Sequence, residues 1–158
     1  MLRGGGTGLA DGERVEILLG ITTPAEQEVA DALGLNVGDL VAVRRRRYVD
    51  TAGVSAVSST WIAGALAREL PEFTRAEPLP TMTFGLIEER TGRRATRRRD
   101  AVSVRAVPTE VASLLGVQAG REVLVVTNRY WDQHGEPTEY AVDYHAPGRE
   151  LMSEYDLD

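Results

Sequence analysis

The sequence predicts an α+β domain in which a central antiparallel β-sheet is flanked by short helices and two related halves are arranged about a pseudo-twofold axis. Three observations predict this fold class. Segments of β-branched and alternating residues are typical of strands, short segments bounded by Pro and Gly are typical of helices, and one strand-helix-hairpin unit occurs twice. At 158 residues the chain is long enough for one domain with its own core.

The internal repeat aligns residues 29–53 with residues 111–135 without a gap. The two stretches, VADALGLNVGDLVAVRRRRYVDTAG and VASLLGVQAGREVLVVTNRYWDQHG, are identical at 11 positions. The pattern Arg-Tyr-x-Asp closes a strand in both copies, at residues 47–50 and 129–132, which indicates a structural role in the hairpin. Two copies are too few for a solenoid, so we expect a pseudo-twofold domain.

The first unit begins with a predicted strand, RVEILLGITT, at residues 14–23. A short helix is expected next, with Thr23 as its N-cap and Gly34 at its end. Two strands, DLVAVRRRRYVD and VSAVSSTWIA, flank the sequence TAG, which predicts a hairpin with a three- to five-residue loop. This prediction places the four arginines of residues 44–47 on a strand.

The middle of the chain and the second unit continue the alternation of helices and strands. GALARELPEF predicts a helix that ends at Pro71, and TFGLIEERTG predicts another that ends at Gly92. The second unit then predicts a strand within residues 93–107, a helix from Pro108 to Gly116, and a hairpin of strands at 122–132 and 137–146.

Composition excludes several functional classes. The chain has no cysteine and two histidines, so disulfides, thiolate chemistry and a histidine-based metal site are not expected. The sequence shows no paired carboxylates and no nucleophile-base pair, so we expect neither a catalytic residue nor a cofactor. The longest apolar runs are far shorter than the roughly 20 residues of a membrane helix, and the N-terminus lacks the apolar segment of a signal peptide. A cytoplasmic protein without membrane contact is expected.

The run of four arginines at residues 44–47 stands out in a chain with a net charge of −6. Its first three members correspond in the second copy to the neutral residues Val126, Thr127 and Asn128, so the shared architecture does not require them. Residues two apart point to the same face of a strand, so the run contributes one pair to each face and does not itself say which pair faces inward. Guanidinium groups bind carboxylate or phosphate bidentately, which makes the inward pair a candidate anion site.

A second basic cluster, GRRATRRRD at residues 92–100, lacks interleaved aromatic residues. A DNA-binding patch usually accompanies a surplus of positive charge, which this chain lacks. The favoured interpretation is a solvated face, or ion pairs with Glu88 and Glu89.

These segments, taken in order, resemble the UTRA domain, the effector-binding half of HutC-type regulators in the GntR superfamily. The resemblance covers about Arg14 to Arg149 and rests on GITTPAEQEVADALGLNVGDLVAVRRRRYVDTAGVSAVSSTWIAGALA, GLIEERTGRRA and VPTEVASLLGVQAGREVLVVTNRYWDQHGEPTEYAVDYHAPGRE. Actinobacterial members resemble it most. The resemblance implies a chorismate-lyase-like fold, a homodimer, and a pocket for a small-molecule effector whose binding controls DNA binding.

In regulators of that family a winged helix-turn-helix domain precedes the effector domain and contacts DNA. No such pattern precedes Arg14. We therefore expect residues 1–13 to be a flexible lead-in or interdomain linker, and residues 14–158 to be an effector-binding domain that is either excised or stand-alone. DNA contact is expected only through a winged helix-turn-helix domain absent from this chain.

The resemblance also implies a set of ligand-binding residues. Family members with phosphorylated or other anionic effectors use an Arg-x-Arg pair on the strand that opens the first hairpin, and Arg45 and Arg47 match that pattern. The other matching positions are Ser58 and Thr60 on the next strand, Thr83 before a helix, and Glu139 and His145 on the last strand. The expected effector is a small anion, such as a phosphorylated sugar, an amino acid or a carboxylate.

These positions also have purely structural interpretations. Ser58 and Thr60 would hydrogen-bond across strands, Thr83 would be the N-cap of its helix, and His145 would lie at the surface before a turn. Alternation along the last strand separates its two faces. One face carries Glu139, Asp143 and His145, and the other carries Tyr140, Val142 and Tyr144.

Several functions remain open at this level. The first is effector sensing, which needs no chemistry. The second is a chorismate-lyase-like enzyme, in which Arg45, Arg47 and Glu139 would place an acid or base beside a bound carboxylate, and the third is a stand-alone small-molecule binding protein. Nucleic-acid binding through the arginine runs would predict an affinity that falls steeply with salt. Because no catalytic pattern is present, we predict a sensor rather than an enzyme.

Overall fold

The computed structural model describes residues 12–158, so the lead-in predicted for residues 1–13 lies outside the described residues apart from its last two. The strands are β1 (Arg14–Pro24), β2 (Leu40–Asp50), β3 (Gly53–Ala63), β4 (Ala95–Ala106), β5 (Glu122–Asp132) and β6 (Pro137–His145). The helices are α1 (Gln27–Leu33), α2 (Gly64–Ala67), α3 (Thr83–Thr91) and α4 (Thr109–Leu115), with a 3₁₀ turn at Pro71–Thr74. Within residues 12–158, no helix combines the length and apolarity needed to cross a membrane.

All six strands form one antiparallel sheet in the order β1-β2-β3-β6-β5-β4. Each half of the chain contributes three neighbouring strands, and the halves meet where β3 pairs with β6. The central pairing runs from Ala56 opposite His145 to Trp61 opposite Tyr140. The predicted α+β class, the antiparallel sheet and the repeated strand-helix-hairpin unit are confirmed.

Three element boundaries differ from the prediction. Helix α1 begins at Gln27 rather than near Thr23, because β1 stays paired with β2 as far as Pro24. The first hairpin turns through residues 51–52 alone, so its loop is shorter than the three to five residues predicted. Pro71 begins a 3₁₀ turn instead of ending a longer helix, because its ring fixes φ at a value that a first turn accepts.

The sheet is covered on both faces. Helices α1 and α4 pack on one face, and α2, the 3₁₀ turn and α3 pack on the other. The buried side chains of α1 and α4 occupy equivalent positions in the repeat: Val29 and Val111, Ala30 and Ala112, Leu33 and Leu115. Burial of each larger apolar side chain contributes about 1.5–3 kcal/mol, so the two helices contribute similarly to one core.

The connection from β3 to α3, residues 64–82, is fixed to the sheet by Arg44. This side chain is 1% exposed. It donates hydrogen bonds to the carbonyl oxygens of Phe73 (3.1 Å), Arg75 (2.7 Å) and Glu77. Burial lowers the pKa of Arg44 to about 10, so the guanidinium remains charged at neutral pH. The cation therefore determines where the connection, and with it the start of α3, lies over the sheet.

The two hairpins are closed by the same contact. In the first, Asp50 Oδ1 accepts a hydrogen bond from the N–H of Ala52 at 2.9 Å. In the second, Asp132 Oδ1 accepts one from the N–H of His134 at 2.9 Å. The structural role predicted for the repeated aspartate is confirmed, because in both copies its carboxylate satisfies a backbone donor of the turn.

Candidate functional site

The arginine run divides between the two faces of the sheet. Arg46 lies opposite Ser58 in the β2–β3 ladder, and its side chain points to the face that α3 covers. Arg44 points to the same face, because strand side chains alternate. Arg45 and Arg47 point to the face covered by α1 and α4.

A polar cavity of about 50 Å³ lies between the sheet and the start of α3, and we name it the α3-side cavity. It straddles the boundary between the two halves of the chain. Arg46 and Asn128 occupy equivalent positions in the repeat and both line it, as do the equivalent Tyr48 and Tyr130. Its polar side chains, besides the two tyrosines, are Arg46, Ser58, Thr60, Thr83, Arg98, Asn128, Glu139, Asp143 and His145.

Arg46 is held in the α3-side cavity by hydroxyl groups rather than by a carboxylate. Its Nη2 donates to Thr60 Oγ1 at 2.6 Å and to Ser58 Oγ at 3.0 Å. The Ser58 hydroxyl in turn donates to Asp143 Oδ1 at 2.5 Å. Among the described residues, the buried Nε of Arg46 has no hydrogen-bond partner. Arg46 therefore has a cationic donor available for a ligand.

Glu139 is the most deeply buried acid of the α3-side cavity, with 4% of its surface exposed. Burial raises its pKa to about 8, although the charges of Arg46 and Arg98 oppose the shift. Its Oε1 has no hydrogen-bond partner within residues 12–158. A buried carboxyl oxygen without a partner is costly, so a ligand group that hydrogen-bonds to it would be strongly favoured.

The second half of the chain supplies another cation to the cavity. Arg98 of β4 donates from Nε to Asp100 Oδ1 at 2.7 Å, and Asn128 Nδ2 donates to the same oxygen at 2.5 Å. Arg98 is half-buried and lowers the pKa of Glu139, as Arg46 does. The cavity thus has one arginine from each half of the repeat beside one buried carboxyl.

The start of α3 forms a wall of the cavity. Thr83 is the first residue of the helix and is 5% exposed, while Met82 is the N-cap and makes no side-chain capping bond. The alternative that Thr83 is the N-cap is therefore wrong. The first N–H groups of a helix have no partner within it, and they carry partial positive charge. A second, mainly apolar cavity of about 140 Å³ adjoins this wall and shares Arg46 and Tyr48 with the α3-side cavity.

The sequence profile of the UTRA domain matches residues 13–149. The chain belongs to the UTRA domain family. A comparison with curated proteins gives no match.

Solved structures with the same fold come from bacterial regulators. One is the ligand-binding domain of a protein assigned as a GntR-family transcriptional regulator in Bordetella bronchiseptica, with 24% identity, a TM-score of 0.69, and coverage of 91% of this chain and 92% of that one. The effector domain of PhnF from Mycobacterium smegmatis gives 19% identity, a TM-score of 0.72, and coverage of 93% and 90%. The candidate regulator YydK from Bacillus subtilis gives 14% identity and a TM-score of 0.71, with 92% of this chain covering 63% of that one. These likenesses establish the fold of the UTRA domain.

Five of the seven residues predicted to bind ligand in this UTRA domain lie together. They line the α3-side cavity from three separate elements: Ser58 and Thr60 on β3, Thr83 on α3, and Glu139 and His145 on β6. The predicted division of β6 into two faces also holds, because Asp143 lines this cavity while Tyr140 and Tyr144 line a cavity on the other face.

Arg45 and Arg47 do not reach the α3-side cavity. Arg45 lines the cavity on the opposite face, and Arg47 forms an ion pair with Glu16 and donates to the carbonyl oxygen of Leu114 at 3.4 Å. Of the four arginines, Arg46 is the one that lines this cavity, because it is the residue opposite Ser58 in the ladder. A shift of one residue exchanges the faces of a whole strand.

Sequence reasoning missed four cavity residues of this UTRA domain, Arg46, Arg98, Asn128 and Tyr130, and placed Asp143 on the correct face of β6 without naming it as a ligand-binding residue. The repeat pairs Arg46 with Asn128, but it pairs every residue of the two copies and so does not show which of them face the cavity. For Arg98 no signal existed, since β4 reaches the cavity only through its pairing with β5.

The basic cluster at residues 92–100 is largely exposed, as the solvated-face alternative predicts, and among the described residues its salt bridges do not involve Glu88 or Glu89. Arg93 binds the buried Asp132 at 2.8 Å, and Arg97 and Arg99 lie over the ring of Trp131. The guanidinium carbon of Arg97 lies 3.9 Å from the ring centre of Trp131. Arg93, Arg97 and Arg99 thus contact β5 and its turn rather than α3.

Proposed function

We propose that this UTRA domain is the effector-binding domain of a HutC-type, GntR-family transcriptional regulator of the cytoplasm, and that it binds a small anionic metabolite without chemical turnover. The observation that carries the proposal is the meeting of Arg46, the start of α3 and the buried Glu139 around one cavity. The family membership and the ligand-binding and effector-domain descriptions of the solved relatives support the same function.

The anionic group of the effector would lie between Arg46 and the start of α3. Arg46 offers an unpartnered buried Nε, and the helix start adds N–H donors and the positive end of its dipole. A phosphate or carboxylate there would replace solvent with charge-assisted hydrogen bonds. A sugar phosphate, an amino acid or another carboxylate fits this requirement.

The neutral or cationic part of the effector would contact Glu139. With its pKa raised to about 8, this carboxyl is protonated in the empty cavity at pH 7 and can donate or accept a hydrogen bond. A ligand ammonium group would favour its ionised form and release a proton on binding, whereas a ligand hydroxyl would not. Proton release therefore distinguishes an amine-bearing effector from a neutral sugar.

The cavity of about 50 Å³ is too small for a metabolite, since ligand sites commonly occupy about 300–1,000 Å³. Binding therefore requires the start of α3 to move away from the sheet. This movement would merge the α3-side cavity with the adjoining apolar cavity of about 140 Å³. Such a movement is the signal that we propose for the regulator. It would rearrange a homodimer and thereby change the affinity of a winged helix-turn-helix domain for DNA.

A thermal-shift screen with sugar phosphates, amino acids and carboxylates tests the proposal. A ligand at 100 times its Kd stabilises a protein by about 2.7 kcal/mol, so a true effector raises Tm clearly. We expect Arg46→Gln and Glu139→Gln to abolish that rise. Arg47→Gln, which removes the same charge from the opposite face of β2, should retain it.

Three results would refute the proposal. The first is that none of the anions raises Tm, and the second is that the rise survives in both cavity variants. The third is tight binding of nonspecific duplex DNA at physiological salt. Sedimentation velocity with and without the effector tests the homodimer, and an unchanged monomer under both conditions would refute that part of the proposal.

A further inference from the structure

The face of the sheet opposite the α3-side cavity contains a second cavity that the proposed function does not use. It lies between α1 and α4 and has a volume of about 390 Å³, within the range of small-molecule sites. We name it the α1/α4 cavity. We propose that it binds a small zwitterion with an apolar body, such as an amino acid with a large apolar side chain, independently of the effector.

The floor of the α1/α4 cavity carries one arginine whose binding capacity is largely unused. Arg45 is half-buried, and its only hydrogen bond to the described residues runs from Nε to Ser59 Oγ at 2.8 Å. No carboxylate within residues 12–158 forms an ion pair with it. Both Nη groups are thus free to bind a carboxylate in the bidentate geometry that guanidinium favours.

The middle of the cavity is aromatic. The rings of Trp61 and Tyr140 stack with centroids 6.2 Å apart and an angle of 28° between their planes. The Tyr140 hydroxyl donates to Glu28 Oε1 at 2.6 Å, and Arg105 Nη1 donates to the same oxygen at 2.8 Å. These contacts hold the Tyr140 ring in place, so the cavity presents a fixed apolar surface to a flat or branched side chain.

The rim of the cavity carries two carboxylates from the starts of the two helices. Glu26 precedes α1, and Glu110 lies in the first turn of α4. Both are exposed, and within residues 12–158 neither side chain forms a hydrogen bond or an ion pair. They differ from the neighbouring Glu28, whose carboxylate is already bound by Tyr140 and Arg105.

This distribution of charge selects among ligand classes. A simple anion would be attracted by Arg45 but repelled by the two exposed carboxylates of the same cavity. A simple cation would meet the opposite conflict. A zwitterion satisfies both, with its carboxylate on Arg45 and its ammonium at the rim, while its side chain covers Trp61.

Trp61 makes the site directly observable. The chain has two tryptophans, Trp61 and Trp131, so Trp131→Phe leaves Trp61 as the sole tryptophan fluorophore. Fluorescence of this variant is titrated with phenylalanine, 3-phenylpropionate and phenethylamine, which share a ring and differ in charge. We expect saturable quenching by phenylalanine, with a Kd at least about tenfold below that of either singly charged analogue.

Two further variants assign the binding to named groups. In the Trp131→Phe background, Arg45→Gln should weaken phenylalanine binding at least about tenfold. Arg47 lies two residues further along β2, on the same face but outside the cavity, so Arg47→Gln should leave the Kd for phenylalanine within about twofold. If Arg45→Gln fails to fold, judged by circular dichroism, the exposed pair Glu26→Gln and Glu110→Gln provides the test, with the same expected loss.

The proposal is overturned if phenylalanine causes no saturable change up to about 10 mM, a limit that corresponds to binding too weak for a specific site. It is also overturned if 3-phenylpropionate binds as tightly as phenylalanine, or if Arg47→Gln weakens binding as much as Arg45→Gln. None of these outcomes bears on the α3-side cavity, because its residues lie on the other face of the sheet.

Discussion

The two hairpins of this UTRA domain have the same backbone but carry different charges on the face below α3. In β2 that face presents Arg44 and Arg46, and in β5 the equivalent positions are Val126 and Asn128. Both strands close with an aspartate that accepts a hydrogen bond from its turn. The hairpin itself therefore needs the aspartate but not the two arginines.

This difference in charge is explained by the segment that follows each hairpin rather than by the strands themselves. After β3 the chain crosses the α3 face in a segment without regular sheet pairing, and Arg44 satisfies three of its carbonyl oxygens. After β6, residues 146–158 form no helix or strand. A buried arginine is present where a crossing connection exposes carbonyl groups to the core, and an apolar residue suffices where none crosses. The asymmetry of charge thus marks the face that holds the candidate site.

Replacement of Arg44 gives the largest expected effect on this comparison. Arg44→Met removes three hydrogen bonds from a charged donor and leaves three carbonyl groups to find other partners, so we expect a loss of about 3–5 kcal/mol in the free energy of unfolding. Val126→Ala, at the equivalent buried position, should cost only about 1–2 kcal/mol. Urea unfolding measures both. Equal losses, or a stabilised Arg44→Met, would show that the connection does not depend on the cation.

The second prediction concerns equivalent places on β3 and β6, the third strand of each half of the chain. Glu139 lies opposite Tyr130, and the corresponding residue opposite Tyr48 is Ala56. Burial raises the pKa of Glu139 from its ordinary 4.5 to about 8, so its contribution to stability is complete below about pH 4 and is lost as pH rises through 8.

Glu139→Gln cannot titrate, so its stability relative to the native chain should rise by about 4 kcal/mol between pH 5 and pH 9. Urea unfolding at the two pH values measures this change. A constant difference between the two proteins would mean that Glu139 is ionised throughout, with its charge balanced by Arg46 and Arg98.

The two turn aspartates should differ in importance although their contacts are alike. Asp132 is 2% exposed and accepts hydrogen bonds from two turn N–H groups and from Arg93. Burial would raise its pKa, but these donors outweigh burial and lower it. Asp132→Asn should cost about 2 kcal/mol near pH 7, a loss that fades as pH falls below 4, where the native carboxyl is protonated.

The more exposed Asp50, bound by Arg149, should show a smaller loss on the same substitution. Thermal unfolding of Asp50→Asn and Asp132→Asn at pH 7 and pH 3 compares the two. A larger loss at Asp50 would contradict the view that burial decides the difference.

The smallest expected effect is that of Arg47, the arginine shared by both copies. Its ion pair with Glu16 is partly exposed, and such pairs contribute little because solvent screens them. Arg47→Gln should change Tm by no more than about 2 °C. A loss comparable with that of Arg44→Met would show that both faces of β2 are equally important for folding.

The sequence was sufficient for the order and type of the elements, because the repeat supports each weak local signal with a second copy. The sequence did not show which of the arginines at residues 44–47 point to which face of the sheet. The loop expected around TAG left the register of the first hairpin open, and only the two-residue turn at 51–52 places Arg46 opposite Ser58. The role of Arg44 could not be predicted either, since its partners lie about 30 residues away in a connection without periodicity.

The most direct test is to compare the Kd of the effector for two variants of β2, Arg46→Gln and Arg47→Gln, whose side chains lie on opposite faces of the sheet. Isothermal titration calorimetry with the ligand identified in the thermal-shift screen measures both values. We expect Arg46→Gln to weaken binding at least about tenfold, and Arg47→Gln to leave the Kd within about twofold of the native value. Binding that is lost in Arg47→Gln and retained in Arg46→Gln would contradict this expectation, and would place the effector on the opposite face of the sheet.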